Sequence, residues 1–175
     1  MKKDFLFVAV LIFAVILLSQ GIKIQSVEEY YNEHLDEITE DSETVFITIE
    51  CRTILDNMDD LEVGLVDHVP EDGIILERLE VKLRDGDTAF DILQRVTRVK
   101  KIHMECIYTP NYSSNYIQGI NHLYEFSCGE LSGWMYSVNG DFPGYGCSKY
   151  QLRDGDELEW RYTCDLGRDL GGSVV

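Results

Sequence analysis

Residues 133–167 read GWMYSVNGDFPGYGCSKYQLRDGDELEWRYTCDLG. Trp134, Tyr136 and Val138 alternate with Met135 and Ser137, the period-two pattern of a strand with one buried face. Asn139 and Gly140 follow at once. That dipeptide suits a type I′ turn, whose two central residues both need positive φ, so the chain is expected to turn there into a hairpin. A second alternating run sets Leu158, Trp160, Tyr162 and Cys164 on one face of a closing strand. The stretch predicts a β-rich C-terminal third built around large aromatic side chains.

Upstream, Val45, Ile47, Ile49 and Cys51 alternate with Phe46, Thr48 and Glu50 and mark a first strand. An irregular stretch with Pro70 and Gly73 as turn markers leads into GIILERLEVKL (73–83), a second alternating run that ends in RDGD. Asp87 stands where it can cap TAFDILQRVTRVK (88–100). There Ala89, Ile92, Leu93 and Val96 share one helical face, and basic residues gather at the C-terminal end, where they suit the helix dipole. Further on, Ile102, Met104, Cys106 and Tyr108 fall in one phase of another strand, which predicts Cys106 to be a buried, unpaired thiol. Asn111, Tyr112 and Ser113 form a glycosylation-type triplet and mainly indicate a surface loop. LRDGD occurs at 83–87 and again at 152–156. The plain reading is two similar strand-ending turns. A calcium or other metal site is the lesser alternative, because the distal glutamate of an EF-hand loop is missing.

Two strands, one amphipathic helix and then several strands with aromatic hairpins predict an α+β domain in which a mixed sheet packs on one helix. The β-grasp, or ubiquitin-like, arrangement fits this order, with the first and last strands parallel at the sheet centre. Both of those strands end in a cysteine on the apolar phase, so Cys51–Cys164 is the first choice for a bridge. Cys128 and Cys147 flank the Trp134 hairpin and form the second candidate pair, although four cysteines allow three pairings.

The N-terminus, MKKDFLFVAVLIFAVILLSQGIKI (1–24), places two lysines before an apolar run and reads as a signal peptide or an uncleaved signal anchor. Residues 25–44 follow as an acidic helical spacer; within 27–43 there are eight acids and no Lys or Arg. Residues 45–171 are expected to be one extracellular domain, on the membrane face or secreted. The net charge of −17 opposes nucleic acid as a partner, since binding phosphate backbones needs clustered Lys and Arg.

The run GINHLYEFSCGELSGWMYSVNGDFPGYGCSKYQLRDGDELEWRYTCDLGRDLG (119–171) closely resembles the bacterial family described as transcobalamin-like C-terminal, and TILDNMDD and VPEDGIILE extend the likeness to residues 45–171. The resemblance implies a β-grasp-related, exported, non-catalytic domain similar to the smaller lobe of cobalamin carriers. It makes a corrinoid such as cobalamin the best single ligand to expect. The large helical domain that completes the carriers' site is not part of the matched region, so a site here would be half a clamp or need a partner. The alternative is a cell-surface structural or protein-interaction module, with a surface protein as partner.

Aromatic side chains supply the broad, partly polar faces that such a ligand needs. They concentrate between Tyr124 and Tyr150. Trp134, Tyr136, Asn139, Gly140, Phe142, Gly144 and Tyr145 are the candidate ligand contacts, with the hairpin tip favoured. No GxSxG, HExxH or SxxK motif is present, His122 near Cys128 in sequence does not define a dyad, and the four histidines share no metal-ligand spacing.

Overall fold

The computed structural model describes residues 34–171. The signal or anchor segment (1–24) and the first part of the spacer therefore lie outside the described residues. The domain is α+β, with a four-stranded mixed sheet and a three-stranded antiparallel one. Strands β1 (Thr44–Glu50), β2 (Ile74–Lys82), β6 (Gly133–Val138) and β7 (Glu157–Thr163) lie in the order β2-β1-β7-β6. β1 and β7 run parallel at the centre, with Ile47 opposite Leu158 and Ile49 opposite Trp160, as the β-grasp expectation requires.

The alternation read from the sequence is the cause of this register. Val45, Ile47, Ile49 and Cys51 are fully buried, and Leu158, Trp160 and Tyr162 nearly so. β6 pairs antiparallel with β7, setting Trp134 against Tyr162 and Tyr136 against Trp160. The Trp134 and Tyr162 rings meet edge to face at 5.3 Å, a geometry that adds to burial alone. Helix α1 (Arg52–Leu55) is a single turn, and α2 (Ala89–Lys100) buries Ala89, Ile92, Leu93 and Val96 in the core shared with β1 and β7.

Thr88, rather than Asp87, caps α2: its hydroxyl accepts from Asp91 N–H while the Asp91 carboxylate accepts from Thr88 N–H, a reciprocal capping box. Asp87 closes the preceding turn instead. Its carboxylate accepts from Arg84 N–H at 2.8 Å and from Arg95 Nη2 at 2.6 Å, with both side chains about nine-tenths buried. The second LRDGD repeats the turn, Asp156 accepting from Arg153 N–H at 2.8 Å. Glycine at positive φ sits at both tips, Gly86 and Gly155. The echo is thus one turn used twice, and both end carboxylates are engaged by the protein's own donors.

The second sheet holds β3 (Met104–Thr109), β4 (Ser114–Ile120) and β5 (Leu123–Tyr124). Asn121 and His122, both at positive φ, make the tight turn from β4 to β5. Gly119 faces Tyr124, where a Cβ would come within 2.7 Å of the ring.

Several expectations need correction. Residues 34–43 form no helix. Leu35 packs on the core, and Asp36 is clasped by the Arg84 guanidinium at 2.6 and 2.8 Å, so this part of the spacer lies along the domain in an irregular path. All five cysteines are free thiols, so neither Cys51–Cys164 nor Cys128–Cys147 is bridged. Cys147 Sγ donates instead to Asn115 O under β4, whereas Cys128 and Cys164 have separate hydrogen-bond partners. The last two sulfurs lie against one turn, Cys128 Sγ at 3.3 Å from Asn57 O and Cys164 Sγ at 3.7 Å from Thr53 Oγ1. Cys106 is only half-buried, because β3 covers the body with fewer of its side chains than the apolar phase predicted.

Candidate functional site: an aromatic trough

β4 and β6 approach each other at the junction of the two sheets, and a trough follows that junction as three adjoining hollows. Tyr116 lines all three. The inner hollow, about 210 Å³, is floored by Ile117, Trp134, Tyr136 and Trp160. Toward the 143–146 loop a wider one of about 570 Å³ is walled by Tyr112 and Tyr145. On the other side a hollow of about 460 Å³ lies between Phe126, Leu131, Met135 and Leu166.

Hydrogen bonds hold these walls in place. The Tyr136 hydroxyl donates to the Tyr145 carbonyl at 2.7 Å and fixes the loop from beneath. Burial raises the Tyr136 pKa, so the phenol remains a donor. The Tyr145 ring stacks on Tyr150 with centroids 5.8 Å apart. Gly146 lies on Ser114 so closely that a Cβ would collide with the serine side chain, which explains glycine here. Ser148 N–H then donates to Ser114 Oγ at 3.2 Å and ties the loop to the start of β4. Trp134 is anchored by its indole N–H on Leu123 O at 2.8 Å. Tyr116 O–H donates to Glu125 Oε2 at 2.7 Å; burial, with the adjacent carboxylate, pushes this phenol up to about 12.

Two features set the trough apart from an ordinary surface. Phe126 and Leu166, 65 % and 53 % exposed, adopt φ of 69° and 48°, a left-handed conformation that costs energy for bulky side chains. Both face the same hollow, and Leu166 N–H donates to Leu131 O at 3.0 Å across it. Trp160, which lines the inner hollow, keeps its Nε1 buried without a partner among the described residues. The chain thus spends backbone strain to hold apolar groups in water and leaves a donor unused.

Of the residues singled out from the sequence, Trp134, Tyr136, Gly144 and Tyr145 line the trough. Asn139, Gly140 and Phe142 do not. The Asn139 amide donates to Asp156 Oδ1 and accepts from Glu157 N–H, so this side chain fastens the hairpin to β7. Gly140 serves the turn, with φ of 85°. Sequence reasoning did not select Tyr112, Tyr116, Leu131 or Leu166, which sit outside the hairpin and reach the trough only through the packing of β4 on β6. His122 and Cys128 have different partners, and burial pushes the Cys128 thiol up to about 12, unlike an activated nucleophile.

The fold and trough together define an α+β domain with an open apolar surface. A model of a domain of unknown function, DUF4430, matches residues 86–164. The chain is similar to haptocorrin, crystallised in complex with Cbi (cobinamide), at 14 % identity over 75 % of this chain and a TM-score of 0.47. It spans 27 % of that protein's length. It is also similar, at 11 % identity and a TM-score of 0.42, to a protein from Ruminococcus gnavus ATCC 29149 to which metal binding has been ascribed, covering 69 % of this chain and 96 % of that one. None of the curated proteins matches the sequence.

Proposed function

We propose that the protein is an exported, non-catalytic domain that captures a small ligand with a broad apolar face in the Tyr116 trough, a corrinoid being the first candidate. The observation that carries the reading is the exposed pair Phe126 and Leu166, held at positive φ on one rim. Strain kept where it serves no packing is characteristic of ligand-binding positions. The two outer hollows fall within the roughly 300–1,000 Å³ range of ligand pockets. The choice of a corrinoid rests on the sequence resemblance.

Titration with cyanocobalamin and with cobinamide tests this directly. Binding is expected to quench the emission of Trp134 and Trp160, both of which line the inner hollow. Leu166→Gly supplies the control, since glycine relieves the strain at that φ while deleting the contact. Its stability should match or exceed the wild type, with binding weakened. No optical change with either corrinoid, and no retention on a corrinoid resin, would remove the corrinoid reading. The surface-protein reading would then stand in its place, favoured by the exposure of Tyr112, Tyr116, Phe126, Leu131, Tyr145 and Leu166.

A further inference from the structure

Three of the four histidines, widely separated in sequence, meet on one surface. His68 ends a 3-10 turn, Val66–His68, in the connection from β1 to β2, His103 precedes β3, and His122 occupies the β4–β5 turn. The His103 and His122 rings stack with centroids 4.1 Å apart and planes 18° from parallel. His68 lies 4.5 Å from His122, tilted by 40°. The Glu105 carboxylate stands 3.4 Å from His103 Nε2, and the Tyr124 hydroxyl 3.3 Å from the same nitrogen.

Backbone bonds assemble this group without drawing on the rings. Asn121 N–H donates to His103 O at 2.8 Å, and the Asn121 amide donates to His68 O at 2.8 Å. His103 Nδ1 is buried and without a partner among the described residues. Imidazole rings brought together at a surface, with one nitrogen lacking a partner, are groups available to a ligand, and the chemistry they share is coordination of a first-row transition ion.

We propose that His68, His103 and His122, with Glu105 beside them, form a surface site for one divalent transition-metal ion of the imidazole-preferring class, such as nickel or zinc. Two nitrogens on one ion, each about 2.0–2.1 Å from it, lie no more than about 4 Å apart; with ring centroids 4.1 and 4.5 Å apart, turning the rings is the movement needed to reach that spacing. As the side chains stand, no group of three or more His, Cys, Asp or Glu among the described residues is arranged to hold an ion. The rings must therefore turn from stacking to chelation as the ion binds. His122 is exposed at the tip of its turn and has room to do so. A net charge of −17 draws cations to the domain in general, while the ring cluster supplies the choice among them.

Equilibrium dialysis of the full chain against nickel(II), with thiols kept reduced, tests the site. The wild type should hold one equivalent that magnesium does not displace, and its thermal midpoint should rise with the ion. His122→Asn is the informative variant, because asparagine tolerates positive φ and removes the ring. It and His68→Ala should each weaken binding by about tenfold or more. Circular dichroism of both variants separates lost binding from lost folding. Absence of a bound equivalent, or wild-type affinity in both folded variants, overturns the proposal. The trough reading is untouched by either result, since none of the three histidines lines it.

Discussion

Replacing Asp87 with alanine is expected to cost about 3–5 kcal/mol, the usual penalty for stranding one member of a buried ion pair. The structure supports the upper part of that range. Arg95 is about 10 % exposed, its Nη2 lies 2.6 Å from Asp87 Oδ2, and its Nε already lacks a partner, so little water is at hand to replace the carboxylate. Arg84 N–H would lose its acceptor as well. For a chain whose total stability lies near 5–15 kcal/mol, this is a large share, equivalent to a fall in thermal midpoint of about 10 °C. Asp156→Ala is the matched comparison: the same position of the same LRDGD turn, but bonded only to Arg153 N–H and to the exposed Asn139 amide. It should cost about 1 kcal/mol. The double change Asp87→Leu with Arg95→Met should recover most of the loss, because an apolar pair of similar size removes both charges together. Urea denaturation followed by circular dichroism measures all three. An Asp87→Ala loss no larger than that of Asp156→Ala would refute the reasoning.

Two further outcomes follow from the corrected parts of the fold. The Arg84 hydrogen bond holds the Asp36 carboxyl below its ordinary 3.8, so the folded state favours the charged form. This stabilisation is full above pH 3.8 and is lost as pH falls through the folded value; Asp36→Asn should therefore be less stable than wild type at pH 7 by up to about 1 kcal/mol, with the difference vanishing in acid. If the chain is oxidised with a small-molecule disulfide, a non-reduced digest should join Cys128 to Cys164, whose sulfurs lie against the same turn, and leave Cys147 free under Asn115; a Cys128–Cys147 peptide would contradict the packing.

The periodic parts of the fold were legible in the sequence for a simple reason. Val45 through Cys51, the α2 face and Leu158 through Tyr162 each bury one side of a regular element, and a regular element repeats its spacing. The Asn139–Gly140 turn was equally plain, since few dipeptides accept two positive φ values. The trough was only half visible. Trp134 and Tyr145 announced themselves by residue type, but Tyr116 and Leu166 owe their role to the meeting of β4 with β6 and of one loop with another. No local pattern records such a meeting. The same holds for the three histidines, 35 and 19 residues apart in sequence and joined only by tertiary packing. The cysteine pairing failed because phase on a strand tells which side chains face inward, not which of them touch.

The parallel contact between β1 and β7 joins Ile47 to Leu158, 111 positions further along. The first of the described strands to be synthesised has only one of its two neighbours until nearly the whole chain exists, and its other side stays unpaired. Such distant pairing slows folding. The sheet cannot close before its last strand exists, and any truncation upstream of Glu157 should abolish the domain rather than trim it.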